Sequence, residues 1–190
     1  MDKILNYIQV NWVEITGSIL SLIYLYLSIK QKVSLWVFGF LASALYVIVF
    51  FDSKLYADMS LQVYYLVVSI YGWINWKRGK EEKELPTTVT TRKTWLQLAL
   101  ATIGIYFIYY FVLRYFTDST IPKSDSVVGA LSIIATWMLA RKLIENWLVW
   151  IVADALCVGL YVYKGLYPTV ILFVIYTVMA VVGYFQWKKR

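Results

Sequence analysis

Five side chains that could form a ligand-binding surface recur at helical spacing between residues 147 and 161. At intervals of three, four, three and four residues the sequence has Trp147, Trp150, Asp154, Cys157 and Tyr161. This spacing places all five on one face of an α-helix. A carboxylate flanked by aromatic rings can bind an organic cation, because the charge and the ring faces both attract it. The pattern therefore indicates a binding face.

Asp154 lies near the middle of an apolar stretch, where a charge is costly. A carboxylate at the centre of a membrane helix costs about 2.5–3.5 kcal/mol to insert, so it normally faces a helix bundle or a wet cavity and has a partner. Two roles remain open: contact with a ligand, and acceptance of a hydrogen bond from a neighbouring helix. We favour the ligand.

Two further stretches carry polar and aromatic side chains at helical spacing. The first contains Asp58, Gln62, Tyr65, Ser69, Gly72, Trp73 and Trp76, and the second contains Thr169, Tyr176, Gly183 and Trp187. We interpret the glycines as positions that permit close helix packing. Tryptophans at helix ends are typical of an aromatic belt at the membrane interface, with a place in the binding site as the alternative. That interpretation covers Trp36, Trp76, Trp95, Trp147 and Trp187.

The residue types argue against catalysis. The chain has no histidine and a single cysteine, Cys157. Histidine is the commonest metal ligand and the commonest general base, so its absence weakens most enzyme interpretations. We therefore predict a protein that is not an enzyme, with no catalytic residues, no metal and no cofactor.

The apolar content predicts an integral membrane protein. Hydrophobic residues make up 61% of the 190-residue chain, more than a soluble domain of this size could bury. Seven runs have about the length that crosses a hydrocarbon core. The predicted spans are residues 11–29, 34–52, 57–76, 94–115, 125–141, 145–163 and 166–187.

The sequence also contains an internal repeat. Shifting residues 123–190 back by 111 positions aligns them without a gap on residues 12–79, with matches that include Trp36/Trp147, Tyr65/Tyr176, Gly72/Gly183 and Trp76/Trp187. Residues 80–122, a charged linker and a fourth helix, have no counterpart. Three helices per repeat and one between them predict a 3+1+3 arrangement of parallel repeats, related by an axis along the membrane normal. Ser43 then occupies the position of Asp154.

Charge predicts the orientation. The net charge is +7, and most of the 18 lysines and arginines lie on the side of the carboxyl terminus, among them Lys77, Arg78, Lys80, Lys83, Arg92, Lys93 and Arg141. Membrane proteins carry excess basic residues on the cytoplasmic side. We therefore expect the carboxyl terminus in the cytoplasm and the amino terminus outside, and no nucleic-acid partner.

The sequence resembles the PnuC family of bacterial vitamin transporters. The resemblance rests on Tyr71-Gly72-Trp73-Ile74-Asn75-Trp76, on Trp150-Ile151-Val152-Ala153-Asp154, and on Lys164-Gly165-Leu166-Tyr167-Pro168-Thr169 with Gly183 and Trp187. It implies a fold like that of the SWEET sugar transporters, a homotrimer in the bacterial inner membrane, and facilitated diffusion with metabolic trapping of the vitamin. It leaves nicotinamide riboside, thiamine and riboflavin open as substrates.

Physical chemistry favours a cationic vitamin. Nicotinamide riboside and thiamine carry a permanent positive charge on a flat heteroaromatic ring, whereas riboflavin is neutral and would gain less from a carboxylate. We place nicotinamide riboside ahead of thiamine, with Asp154 near the ring and Gln62 and Asn75 on hydroxyl or amide groups. The predicted substrate-binding residues are Asp154, Trp150, Tyr161, Tyr176, Gln62, Tyr65, Trp73, Asn75, Trp147, Ser43 and Trp36.

Two other functions remain as alternatives. In a proton-coupled transporter Asp154 would accept the proton, but proton relays normally use several ionisable groups in their spans, and this sequence shows one central carboxylate. A membrane sensor or assembly subunit would use Lys77–Lys93 to dock a soluble partner, although a short solvated loop accounts for that segment.

Overall fold

A computed structural model describes residues 2–52, 56–77 and 85–189, and in this part of the chain all regular structure is helical. The expected all-α class is confirmed. Residues 78–84 lie outside the described residues. They include the end of the first repeat and much of the charge of the predicted linker. The seven helices are α1 (Asp2–Ile29), α2 (Leu35–Asp52), α3 (Tyr56–Lys77), α4 (Arg92–Phe116), α5 (Pro122–Ala140), α6 (Asn146–Tyr163) and α7 (Tyr167–Lys188).

Six of the seven helices agree with the predicted spans to within three residues, and α1 does not. It begins at Asp2, whereas the span was expected to begin at residue 11. The described apolar part of α1 includes Ile15–Ile29. The amino-terminal extension is more polar and contains neither proline nor glycine, so nothing in the sequence ends the helix there. Hydropathy therefore located the apolar part and missed the extension.

Among the described residues, four helical segments are long and apolar enough to cross a membrane: α2, α4, α6 and Thr169–Lys188 of α7. Helix α5 falls short because of its polar residues, and it is also the most buried helix described, with ten buried residues. It packs between α4 and α6. A helix surrounded by other helices has little surface that faces lipid, so it need not be apolar all round. This explains why a criterion based on hydropathy alone does not select α5 as a membrane span.

The local structure repeats at an offset of 111 residues. Helices α6 and α7 begin and end 111 positions after α2 and α3, and α5 ends 111 positions after α1. Between the first two helices of each set the chain passes through a residue with positive φ, Gln31 (56°) and Lys142 (55°). A non-glycine residue in this region costs about 1–2 kcal/mol, so its recurrence at matching positions is a specific structural likeness.

One tertiary contact recurs at the same offset. A Cβ atom added to Gly72 would lie 2.4 Å from the nearest atoms of the Trp36 ring, and one added to Gly183 would lie 2.7 Å from the Trp147 ring. No real side chain tolerates such distances, so each indole packs directly against a helix backbone. The expectation that these two glycines permit close packing is confirmed.

The chain divides into two compact units, Met1–Ile74 and Asn75–Arg190. In the first, α1 packs on α2, and Ser18 forms a 3.0 Å hydrogen bond with the hydroxyl of Tyr46. In the second, α4 packs on α5, α5 on α6, and α6 on α7. The second unit holds the end of α3 as well, since the boundary falls before Asn75.

A segment before α4, residues 85–91, binds to the turn between α5 and α6, and we call it the strap. Thr88 pairs with Leu143 in an isolated β-bridge, with two backbone hydrogen bonds of 3.1 and 3.0 Å to the residues on either side of Leu143. Thr90 donates its N–H (2.9 Å) and its hydroxyl (2.6 Å) to Oε2 of Glu145. This part of the predicted linker is therefore ordered by its contacts with the helix turn.

We expect Thr90→Val to destabilise the protein by about 1.5–3 kcal/mol, because it removes a hydrogen bond to a charged carboxylate while preserving the side-chain shape. Thermal unfolding of the purified protein measures the effect. Thr120→Val, the same change at an exposed loop position, serves as the control. Equal stabilities of the two variants would contradict a stabilising strap.

Candidate functional site

Asp154 is the ninth of the 18 residues of α6, halfway along the helix. Its exposed fraction is 7%, and within the described residues its carboxylate makes no hydrogen bond and no ion pair. Buried carboxylates are normally paired, because an isolated charge in an apolar medium is unfavourable. Asp154 is therefore a buried carboxylate whose charge no described side chain compensates.

Ser43, the residue of α2 that corresponds to Asp154 in the repeat, has similar surroundings. It is buried, with an exposed fraction of 5%. Its hydroxyl makes no hydrogen bond inside the part of the chain that the structure describes. Each unit therefore holds one buried polar side chain without a partner at the same point of the repeat. Only the second unit supplies a charge there.

The structure brings together two predicted residues, Tyr161 of α6 and Tyr176 of α7, by way of Phe173. Tyr161 stacks on Phe173 with ring centroids 5.2 Å apart and planes at 25°. Phe173 meets Tyr176 edge to face, with centroids 5.6 Å apart and planes at 75°. Such geometries are the favourable ones for aromatic pairs. The three rings form an aromatic wall seven residues, or two turns, along α6 from Asp154.

Phe173 was not predicted, although the repeat contained a signal for it. It occupies the position that corresponds to Gln62, which was predicted, and it precedes Tyr176 by one helical turn. An apolar ring in an apolar helix carries no distinguishing mark by itself. Comparing the two repeats position by position would have singled it out.

Trp150 lies one turn from Asp154 on the other side. It is half-buried and packs against a hydrophobic cluster made by α4, α5 and α6. The buried members of this cluster are Leu98, Ile134, Ala135, Met138 and Val149. Trp150 is therefore held by the core and still has exposed surface, as a ring that stacks on a ligand would require.

Trp147 is not placed as an aromatic belt would place it. Trp36, Trp76, Trp147 and Trp187 each have an exposed fraction of 1%, so the belt interpretation is wrong for these four, whereas Trp95 is exposed. The indole of Trp147 meets that of Trp187 edge to face at 5.6 Å, and Trp187 packs against Trp76 at 6.2 Å. Trp76, Trp147 and Trp187 are therefore packing residues at the end of the second unit where the strap binds.

Trp147 nevertheless retains an unused polar group. Its indole Nε1 is buried without a hydrogen-bond partner among the described residues, as is Oδ1 of the neighbouring Asn146. Buried polar atoms without partners are rare in folded proteins, and they often mark a site that water or a ligand completes. A donor and an acceptor are thus available about two turns before Asp154.

A buried lysine belongs to the same end of the second unit and was not expected there. Lys142 lies with its Nζ 4.6 Å from the centroid of the Trp76 ring, and it donates a 2.8 Å hydrogen bond to the carbonyl of Leu85 in the strap. The ring face and the carbonyl together satisfy the ammonium group. The strap, the α5–α6 turn and α3 are therefore joined through one side chain.

Asn75 also takes part in this packing. Its Nδ2 donates to the carbonyl of Ala140 at 2.9 Å, and the indole Nε1 of Trp76 donates to the carbonyls of Leu139 (3.3 Å) and Ala140 (3.2 Å). Carbonyls at the end of a helix have no partner within the helix, and these bonds supply one for α5. The predicted contact of Asn75 with a ligand stays a prediction, and one amide N–H is already engaged.

The predicted residues of the first unit lie along α2 and α3. Gln62, Tyr65 and Trp73 are all half-buried on α3. Tyr65 packs beside Tyr64, with ring centroids 5.7 Å apart. Trp36, at the beginning of α2, lies against Gly72, which makes it a packing residue like Trp147. Three of the five predicted residues in this unit therefore keep surface available to a ligand, while Trp36 and Ser43 are buried.

The assembled features suit binding of a flat organic cation. The second unit has a buried carboxylate without a partner, an aromatic wall on one side of it and a tryptophan on the other. No group of three or more His, Cys, Asp or Glu side chains that could hold a metal occurs within residues 2–52, 56–77 and 85–189.

Comparison with known proteins gives one consistent result. The family model described as nicotinamide mononucleotide transporter matches residues 11–189. The chain is 26% identical to the nicotinamide riboside transporter PnuC of Escherichia coli K12, over 94% of this chain and 86% of that protein. It is 27% identical to the riboflavin/roseoflavin transporter RibM of Streptomyces davaonensis, over 94% and 85%. Its fold resembles a crystal structure of the vitamin B3 transporter PnuC with a TM-score of 0.77 at 24% identity, covering 99% of this chain and 85% of that one.

Proposed function

We propose that this chain, which belongs to the nicotinamide mononucleotide transporter family, carries nicotinamide riboside across the bacterial cytoplasmic membrane by facilitated diffusion. The observation that carries the proposal is the buried carboxylate of Asp154, which has no partner among the described residues. A permanent cation is the ligand that such a group favours most. The family and the apolar helices indicate a multi-pass membrane transporter, and Asp154 selects among its vitamins.

The aromatic residues would receive the ring of the vitamin. The pyridinium ring of nicotinamide riboside is flat and positively charged, so it gains about 0.5–2 kcal/mol from each well-placed aromatic face. Tyr161 and Tyr176, joined through Phe173, offer such faces on one side of Asp154, and Trp150 offers one on the other. The ring would thus lie next to Asp154 between aromatic groups.

Polar side chains would bind the ribose and the carboxamide. Buried Nε1 of Trp147 is available as a donor, and Gln62, Ser43 and Asn75 offer donors and acceptors on α2 and α3. Tyr65 and Trp73 complete the proposed set in the first unit, whereas Trp36 packs against Gly72. A site that hydrogen-bonds hydroxyl groups strongly rejects analogues that lack them, because its own polar groups are then left unpaired.

The transport cycle follows from the repeat. We propose seven transmembrane helices in a SWEET-like 3+1+3 arrangement of parallel repeats, with the amino terminus outside and the carboxyl terminus in the cytoplasm. The recurrence of helix ends and of the Gly–Trp contact at an offset of 111 residues supports it. Movement of one repeat against the other would give alternating access. Phosphorylation of the vitamin in the cytoplasm would trap it there and so produce net uptake. The homotrimer stays a prediction.

Riboflavin is the second candidate, because RibM is a relative over nearly the whole chain. Its isoalloxazine ring is large and flat and would stack on the same aromatic side chains. It is neutral, however, and would leave the carboxylate of Asp154 buried without a counter-charge. Thiamine carries the charge and remains the alternative within the cationic group.

Titration of the tryptophan fluorescence of the purified protein tests the proposal. We expect saturable quenching by nicotinamide riboside, and weaker or no quenching by riboflavin and by neutral nicotinamide, which lacks the charge and the ribose. Saturable quenching by thiamine or riboflavin alone would identify that vitamin, and not nicotinamide riboside, as the substrate. No response to any of these compounds would contradict the vitamin-transporter proposal itself. Uptake into proteoliposomes that persists with a protonophore would support facilitated diffusion over proton coupling.

A further inference from the structure

At the end of α6 the ammonium group of Lys164 lies between a carboxylate and an aromatic ring. Its Nζ is 3.9 Å from Oδ1 of Asp125 on α5 and 5.9 Å from the centroid of the Tyr161 ring. An anionic group and a ring face are the two elements with which proteins bind organic cations. The chain thus holds a small cation site and fills it with its own side chain.

We propose that Asp125 and Tyr161 form an entrance site for the cationic ring of the vitamin, and that Lys164 occupies this site until the vitamin displaces it. The inference rests on the proposed function and on the proposed orientation, in which this end of α6 faces the outside. It adds a second binding position, separate from Asp154, at the mouth of the pathway.

The structure holds Asp125 in place for such a role. It lies in the first turn of α5, where the helix dipole favours negative charge. The hydroxyl of Ser119 donates a 2.7 Å hydrogen bond to its Oδ2. Oδ1, the oxygen that faces Lys164, is the one that remains for a cation. The carboxylate is therefore oriented by the α4–α5 connection and not by its ion pair.

Lys164 is attached at a fixed point with a long, adaptable side chain. It is the C-cap of α6 and is followed by Gly165 at φ +71°. The N–H of Gly165 bonds to the carbonyl of Val162, and that of Leu166 to the carbonyl of Tyr161. This is the Schellman ending, which fixes the backbone of a helix terminus. The backbone is held firmly while the ammonium group can move away on four methylene groups.

The ion pair is weak enough to be exchanged. Its two side chains are 33% and 31% exposed, and its 3.9 Å separation is near the upper limit for an ion pair. Ion pairs of this kind contribute little to stability, because water screens them and holding long side chains costs entropy. An organic cation that lays a flat ring against Tyr161 can therefore compete with the Lys164 ammonium group, which lies 5.9 Å from the centroid of that ring.

The entrance site connects to Asp154 along one face of α6. From Asp154 the residues Cys157, Tyr161 and Lys164 follow at intervals of three, four and three, so they share that face. Cys157, between Asp154 and Tyr161 on this face, is buried. Ten residues of helix span about 15 Å. A cation that leaves Asp125 would pass the Tyr161 ring and reach Asp154 within that distance.

Stopped-flow measurement of the quenching of tryptophan fluorescence by nicotinamide riboside distinguishes the role of Asp125, which attracts the vitamin, from that of Lys164, which competes with it. We expect Asp125→Asn to slow association by about three- to fivefold, because the charge that attracts the vitamin is lost. We expect Lys164→Met to accelerate association by a similar factor, because the group that competes with the vitamin for Asp125 is lost. In the double variant the acceleration should disappear. Raising NaCl from about 20 to about 300 mM should slow association with Lys164→Met and leave Asp125→Asn nearly unaffected.

Two variants at the same end of the bundle control for general electrostatics. Lys123→Met removes a positive charge from the first turn of α5, and Asp118→Asn removes a negative charge from the α4–α5 loop; both residues are exposed. We expect neither to change the association rate as strongly. If Asp125→Asn and Lys164→Met change it in the same direction, or leave it unchanged, the ion pair is structural and the entrance site is refuted. If the unmodified protein does not bind nicotinamide riboside at all, the proposed function fails, and this inference fails with it.

Discussion

Replacing Asp154 with asparagine is expected to weaken the binding of nicotinamide riboside by at least about 30-fold. Removing one partner of a buried charge pair typically costs about 2–5 kcal/mol, and each 1.4 kcal/mol is a tenfold change in affinity. Asparagine has nearly the same shape, so the loss would come from the charge. The dissociation constant from the fluorescence titration measures it, and Asp52→Asn, at an exposed helix end, is the matched control.

The same substitution should have the opposite effect on stability. In the absence of ligand, Asp154 is a buried carboxylate with no partner among the described residues, and such a charge opposes folding. We therefore expect Asp154→Asn to melt at the same temperature as the unmodified protein or a higher one. A carboxylate that held α6 to a neighbouring helix would give a lower melting temperature instead. Unchanged affinity would refute the role of Asp154 in the site.

The positions of the helices and of Asp154 could be predicted because they depend on local patterns. Apolar length and helical spacing are properties of neighbouring residues, so the spans of α2 to α7 and the shared face of Asp154 and Tyr161 followed from the sequence. The extension of α1 to Asp2 did not follow, since nothing apolar marks it. A hydropathy pattern reports what contacts lipid and not how far the backbone hydrogen bonds continue.

The partners of the polar and aromatic side chains could not be predicted, because they come from distant parts of the chain. The hydrogen bonds of Thr90 to Glu145 and of Lys142 to Leu85 each join residues more than 50 positions apart. The tryptophans at helix ends suggested an aromatic belt at the membrane interface because the residues that they pack against also lie far away in the sequence. Yet both buried indoles of the repeat precede their glycine by the same interval, Trp36 to Gly72 and Trp147 to Gly183, and this regularity was the available sign of a packing contact.

That packing contact leads to a large expected effect on stability, from Gly183→Ala. The added methyl group would lie 2.7 Å from Cδ2, Cε2 and Cζ2 of Trp147. Trp147 is fully buried and packs against Trp187, so it cannot move aside without disturbing a second ring. Overpacking of this kind costs about 1–3 kcal/mol, and in a chain of this size each kcal/mol lowers the melting temperature by about 2–4 °C. We therefore expect a decrease of about 2–12 °C.

Gly159→Ala provides the control on the facing helix. Gly159 lies on α6 like Trp147, and a Cβ atom there would meet nothing within 4 Å. Alanine is the better helix former, so this variant should be as stable as the unmodified protein or slightly more stable. Combining Gly183→Ala with Trp147→Phe should recover part of the loss, because the smaller ring leaves room for the methyl group. Equal melting temperatures for the two alanine variants would show that α6 and α7 do not approach each other as closely as the indole contact requires.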